Sequence, residues 1–229
     1  MHSIDTDLLF KRMTEEDISE SCGTLRVYPS SFHRIGDCSV VMYAENGEKT
    51  LLAAGNGPLA SSLKGTAKSG YKICALTHEN RLVINTFFDY TVPRPAGNSV
   101  VSMGLGDRLG TATAGHLKAV KKRAVFPVLA QQSKRELDLT GRTFSSVLDD
   151  AVFAVFREGF RRGFGADGDH LKTIEDINEA LDCGYSMITV DCSENIRADA
   201  VGLNTEGLKA GLAEMNEEAV RRYRGRYQD

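Results

Sequence analysis

The chain has 229 residues, 41 % of them hydrophobic and 26 % charged, with a formal net charge of −3, enough for one large or two modest domains with a buried core. A slight acidic excess argues against a nucleic-acid surface, and no apolar run approaches the roughly 18–20 residues needed to span a bilayer. The start, Met1-His-Ser-Ile-Asp-Thr-Asp7, lacks the basic flank and apolar stretch of a signal peptide, so the cytosol is the expected compartment.

Residues 39–44 and 50–55 are short apolar runs joined across Glu45-Asn46-Gly47-Glu48. Asn-Gly between two such runs predicts a hairpin, because a type I′ turn needs positive φ at both central positions. Residues 71–76 and 81–88 read as two more strands, joined by the polar Thr77-His-Glu-Asn80. The segment Thr91-Val-Pro-Arg-Pro-Ala-Gly97 then interrupts the chain. Residues 1–97 are expected to form a small α+β unit with antiparallel strands.

From residue 98 the pattern becomes strand, loop, helix, repeated. Residues 99–104 read as a strand, residues 114–123 as a short helix with the basic end Lys121-Lys-Arg123, and residues 125–133 as the next strand. In residues 143–160, Phe144, Val147, Leu148, Ala151, Val152, Val155 and Phe156 recur at spacings of three and four, the stripe of a buried helix. Residues 163–170 form a third strand, and Thr173-Ile-Glu-Asp176 opens a helix that buries Ile174, Ile177 and Leu181 and stops at Gly184. Residues 185–191 are a fourth strand, and residues 205–229 are helical in propensity. Four such units predict a parallel sheet with covering helices. A complete (β/α)8 barrel takes roughly 250 residues, so residues 98–229 are expected to be the first half of a TIM-barrel-like α/β fold.

In such sheets, chemistry gathers at the carboxyl ends of the strands. Gly163-Phe-Gly-Ala-Asp-Gly-Asp-His-Leu-Lys172 places two carboxylates and an imidazole at one such end, and Asp191, opening Asp191-Cys-Ser-Glu194, places a third carboxylate at the next. Strand alternation puts Asp167 and Asp169 on one side and Gly168 and His170 on the other. At a strand end Asp169 and His170 can still converge on one ion, and that pair suits zinc, manganese, nickel or cobalt better than calcium. A catalytic site needs at least a third ligand.

Thr189 and Asp191 share a face of the fourth strand, with helix capping as the plain alternative for Asp191. The loop Gly104-Leu-Gly-Asp-Arg-Leu-Gly110 can approach an anion, and Arg108 adds a fork suited to carboxylate. A pairing of Asp107 with Arg108 is the bland alternative there. Gln131, Gln132 and Ser133 suit sugar hydroxyls, or simply cap the next turn. The cysteines, Cys22, Cys38, Cys74, Cys183 and Cys192, are odd in number without CxxC spacing, and read as reduced thiols.

Taken together, Ser102-Met-Gly-Leu-Gly-Asp-Arg-Leu-Gly110, Gln131-Gln-Ser-Lys-Arg-Glu-Leu137, Leu139-Thr-Gly-Arg-Thr143, Gly165-Ala-Asp-Gly-Asp-His-Leu-Lys172 and Ile188-Thr-Val-Asp-Cys-Ser193 resemble the tagaturonate–fructuronate epimerase family. The resemblance runs in order from about residue 25 to about residue 200. It implies a metal-dependent, TIM-barrel-like enzyme that inverts one hydroxyl-bearing carbon of a keto-hexuronate. Members continue well past residue 229, so this chain is expected to be an amino-terminal portion.

The C4 hydrogen is not α to the carbonyl, which favours retro-aldol cleavage of C3–C4 and readdition over direct proton abstraction. A metal would serve as Lewis acid; transient oxidation at C4 would need a nicotinamide or flavin, for which no convincing motif is present. The resemblance implies Asp169 and His170 as metal ligands, Asp191 as ligand or proton carrier, and Asp107 as a second catalytic carboxylate. It implies Arg108 and Lys172 on the substrate carboxylate, with Gln132, Ser133 and Thr189 on hydroxyls. A metal-dependent sugar-acid aldolase of similar barrel shape and a non-catalytic fragment are the alternatives. An open sheet edge would favour self-association.

Overall fold

The computed structural model describes residues 4–98 and 101–227, in two compact units that part between Val190 and Asp191. The first unit opens with α1 (Ile4–Glu15), β1 (Ser21–Cys22), β2 (Leu25–Ile35), β3 (Cys38–Glu45) and β4 (Glu48–Ala54). Asn46 and Gly47 make the expected tight turn, with φ of 52° and 87°, and Glu45 pairs with Glu48 across it. After α2 (Pro58–Ser62), β5 (Thr66–Lys68) and β6 (Tyr71–Ala75) complete an antiparallel sheet of order β1-β2-β3-β4-β6-β5. The sequence pattern does not announce β2, whose register with β3 is irregular between Tyr28 and His33.

Of residues 81–88, expected as a strand, 81–87 are helical instead, within α3 (His78–Phe87), and Phe88 caps its end. The Thr77 hydroxyl caps this helix by accepting from Asn80 N. The buried Asn80 amide accepts from Lys64 N and donates to Lys64 O and Ala75 O, which folds the chain back at this point. Asn80, Arg81 and Ile84 are the buried positions, a helical face that a strand cannot present.

The chain then alternates: β7 (Ser102–Gly104), α4 (Thr113–Val120), β8 (Phe126–Ser133), α5 (Lys134–Thr140), α6 (Phe144–Glu158), β9 (Gly165–Leu171), α7 (Ile174–Cys183) and β10 (Met187–Val190). The four strands are parallel in the order β10-β9-β8-β7, each beside the next in sequence. This is the arrangement of a partial α/β barrel, as expected. Ser99 and Val100, placed on the first of these strands by the sequence pattern, lie outside the described residues. The helix α5 was hidden between strand and stripe. A reciprocal capping box between Ser133 and Glu136 starts it, and Gly141, at φ 63°, ends it.

One apolar core serves both sheets. Val40 and Met42 of β3, Leu51 of β4, Leu129 of β8 and Ala166 of β9 pack with Val147, Val152 and Phe156 of α6, all at most 2 % exposed. Arg81 adds a polar tie, its Nε 2.7 Å from Asp149 Oδ1 on α6. Residue 97 therefore divides two kinds of sheet within one unit. The opposite face of the antiparallel sheet is covered by Leu9 and Met13 of α1, against Val41, Tyr43 and Leu52.

The second unit contains α8 (Thr205–Ala213) and α9 (Glu217–Tyr227), in keeping with the helical propensity of that segment. Within it Arg197 pairs with Asp199 and Glu214, at 2.8 and 3.2 Å. No helix among the described residues is long and apolar enough to cross a membrane.

Candidate active site

Two extra residues shape the carboxyl ends of the parallel strands. Leu129 pairs with Ala166 and Gln132 with Gly168, so β8 spends three residues where β9 spends two. Ile188 pairs with Gly168 and Val190 with Leu171, so β9 has the extra residue in its turn. Each bulge contains a non-glycine residue of left-handed backbone, Ala130 at φ 52° and His170 at φ 54°.

The bulges decide which side chains face which side. A Cβ at Gly168 would meet Leu171, Ala180 of α7 and Ile188, so Gly168 and its register partner Gln132 belong to the helix-covered side. Gln132 is fully buried, and neither end of its amide meets a partner among the described residues. Gln131, Asp167 and Thr189 share the opposite face, where the Gln131 amide lies against Gly104 in the space a side chain there would take. Sequence reasoning chose Gln132 for the hydroxyl-binding face; the structure places Gln131 on the face of Asp167 and Thr189.

Asp167 is the centre of this face and the residue that sequence reasoning left without a role. It is fully buried and joins three strands, with Gln131 Nε2 donating to Oδ2 at 3.1 Å and Thr189 Oγ1 lying 3.0 and 2.8 Å from its two oxygens. Burial pushes its carboxyl above the usual carboxylate range, with the nearby Asp169 charge adding to it, while the bonds from Thr189 and Gln131 oppose the rise.

The glycine loop after β7 is organised by Asp107. Its carboxylate accepts from the backbone N of Thr111, Ala112 and Thr113 at 3.1, 2.7 and 2.7 Å, and from Thr113 Oγ1 at 2.8 Å, which fixes the start of α4. Burial pushes the Asp107 carboxyl up, but the bonds from Thr113, Ala112 and Thr111 outweigh it and hold it below the usual value. Arg108 does not pair with Asp107. It forms an ion pair with Glu136, the residue that also closes the capping box with Ser133. Ser133 Oγ thus accepts from Glu136 N, so its hydroxyl caps α5.

Asp169 and His170 stand together, with His170 Nδ1 2.8 Å from Asp169 Oδ1, the imidazole 62 % and the carboxylate 18 % exposed. They offer one imidazole and one carboxylate, which suit a divalent transition ion. Among the described residues no three His, Cys, Asp or Glu side chains group closely enough to hold one, so the donor set fits only in part. Lys172 is exposed just past β9. Asp191 belongs to the second unit, where its Oδ1 accepts from Ser193 N at 2.9 Å.

A four-stranded parallel sheet covered in order by its helices, with carboxylate, amide, hydroxyl and imidazole groups at adjacent strand ends, has the make-up of part of an α/β barrel. A family model described as tagaturonate epimerase (UxaE) matches residues 28–229. The tagaturonate/fructuronate epimerase of Thermotoga maritima is 40 % identical over 175 residues, 75 % of this chain and 36 % of that protein. Two crystal structures of the fructuronate-tagaturonate epimerase UxaE from Cohnella laeviribosi also match, each at TM-score 0.83 over 99 % of this chain and 45 % of the solved chain. The native form is 44 % and the form complexed with glycerol 43 % identical. The chain belongs to the tagaturonate epimerase family, and the resemblance carried by the five motifs is borne out. It spans less than half the length of these relatives.

Proposed function

We propose that this chain serves the interconversion of tagaturonate and fructuronate, the inversion of C4 in a keto-hexuronate. The observation that carries the reading is the family match over residues 28–229, which takes in every element of the parallel sheet. In support, Gln131 and Thr189, held over the Asp167 carboxylate, are uncharged hydrogen-bonding groups suited to hydroxyls, beside the Asp169–His170 pair.

The route we favour is retro-aldol and aldol chemistry. A base takes the C4 hydroxyl proton, the C3–C4 bond breaks to leave a C4 aldehyde and a C2–C3 enediolate, the aldehyde turns, and the bond re-forms on its other face with return of the proton. Asp191 is proposed as the proton carrier or a ligand, a role that rests on its sequence position directly after β10. Arg108, steadied by Glu136, and Lys172 would take the substrate carboxylate, and Asp107 would hold the loop that presents Arg108. Hydroxyl contacts would fall to Thr189 and Gln131, with Ser133 at the rim and Gln132 supporting β8 from behind.

Asp169 and His170 are the proposed metal ligands. A divalent ion held there would supply Lewis acidity to the sugar oxygens. The five free thiols support a reducing compartment such as the cytosol. Pairing of copies along β10 is also proposed, supported by exposed Met187 and Val190, and light scattering tests it.

The deciding experiment incubates the purified chain with tagaturonate and zinc, manganese, nickel or cobalt in turn, and follows fructuronate by carbon NMR. Fructuronate formation that is lost on Asp169→Ala supports the reading. Tagaturonate recovered unchanged under all four conditions would overturn it for this chain.

A further inference from the structure

Asp167 takes hydrogens from two neighbouring strands. Its Oδ2 lies 3.1 Å from Gln131 Nε2, and its two oxygens lie 3.0 and 2.8 Å from Thr189 Oγ1. A carboxylate has no hydrogen to give, so the amide and the hydroxyl are the donors in these contacts. The single hydroxyl hydrogen of Thr189 is thereby committed, and what Oγ1 still presents is a lone pair. The Gln131 amide is fixed in the same way, with Nε2 toward Asp167 and Oε1 against Gly104. Among the described residues no donor meets that Oε1. Asp167 is fully buried, whereas Gln131 and Thr189 are partly exposed, so the carboxylate lies beneath and its two partners lie toward solvent.

From this arrangement we infer that Asp167 is a positioning residue that sets the polarity of the strand-end face, turning Gln131 and Thr189 into outward acceptors that select ligands by their hydroxyl donors. The ligand class, a polyhydroxylated sugar acid, rests on the proposed function. The polarity itself rests on the three side chains alone. Groups that only accept, such as carboxylates and ethers, find no hydrogen at these two atoms, while a sugar hydroxyl can donate to either. The buried charge thus makes acceptors of these two atoms, each open to a hydroxyl donor.

Two measurements test it. Without ligand, hydrogen exchange of the Gln131 side-chain amide is followed by NMR in the wild type and in Asp167→Asn, a variant of equal size whose own NH2 replaces an acceptor. One amide hydrogen should be protected by tenfold or more over the variant, on the order expected of a hydrogen bond to a buried charged group. With ligand, tagaturonate affinity is measured by calorimetry for the wild type, Asp167→Asn, Thr189→Val and Thr189→Ser. Affinity should fall by about tenfold or more in Asp167→Asn and Thr189→Val, and Thr189→Ser should restore most of the valine loss.

Circular dichroism confirms that each variant is folded before it is compared. Equal exchange in wild type and Asp167→Asn would overturn the polarity, and affinities unchanged in both Asp167→Asn and Thr189→Val would overturn its role in recognition. A wild type that binds no tagaturonate would overturn the recognition role together with the proposed function, and the exchange measurement would still decide the polarity.

Discussion

Ala130 and His170 are the left-handed residues at the extra positions of two neighbouring parallel strands, with φ of 52° and 54°. Neither is glycine, and a left-handed residue with a Cβ costs roughly 1–2 kcal/mol. Their effect is on facing: the first brings Gln131 to the side of Asp167, and the second lets Leu171 return to the core after Asp169.

Ala130 is 1 % exposed, so its methyl is packed as well as strained. Ala130→Gly loses the methyl and gains backbone ease, and should stay within about 1 kcal/mol of the wild type in urea titration. Ala130→Val adds a branched Cβ in the same backbone and should cost more than about 2 kcal/mol. A valine variant as stable as the glycine one would show that the bulge is not held in this conformation.

Phe156 is fully buried, with ring centroids 5.3 Å from both His33 and Phe88. Phe156→Ala should lower stability by about 3–5 kcal/mol, the range for an aromatic ring lost from a core. A loss below about 1 kcal/mol would place the ring outside the packed interior.

His33 gives the fold an acid sensitivity. Its Nε2 meets Tyr90 Oη at 2.7 Å and its Nδ1 lies 3.3 Å from Arg161 Nη2. Burial, reinforced by the Arg161 charge, pushes its pKa down from 6.5 to about 4. The unfolded chain therefore binds a proton first, and the contribution is complete above pH 6.5, falls as pH drops from 6.5 toward 4, and levels off below. At about 1.4 kcal/mol per unit, discounted for partial exposure, roughly 2 kcal/mol should be lost. Urea titrations at pH 7 and pH 4.5 check this against His33→Phe, whose stability should fall less over the same interval. Equal slopes for the two proteins would remove His33 as the cause.

Metal analysis tests the Asp169–His170 pair directly. After dialysis against zinc, His170→Ala and Asp169→Ala should each retain less than a tenth of the wild-type content, on the scale of a lost ligand. Equal zinc in all three proteins would move the ligand assignment elsewhere.

Much of this was legible in the residues. The Asn46-Gly47 turn, the α6 stripe and the four parallel strands follow from turn chemistry and periodicity, which act within a few residues. The α3 segment misleads because Leu82, Val83 and Ile84 suit a strand equally well, and the decision lies with the Asn80 amide and its partners at Lys64 and Ala75. Two overlooked signals were local: Ser133 and Glu136 stand at capping-box spacing, and Asp107 precedes α4. The shared face of Asp167 and Asp169 follows from alternation. The place of Gln131 does not, because the register step at Ala130 exists only when β8 meets β9.

The core shared by the two sheets bears on how this protein can change over time. Leu51 and Val40 come from one side of residue 97 and Phe156 and Leu129 from the other, yet they close on the same helix, and Arg81 reaches across to Asp149. Recombination that swapped residues 1–97 for another module would strip α6 of its neighbours on that side and leave the partly buried Asp149 carboxylate without Arg81. The sheet that carries none of the proposed chemistry is thus inherited with the one that does, and drift in either must be answered in the other.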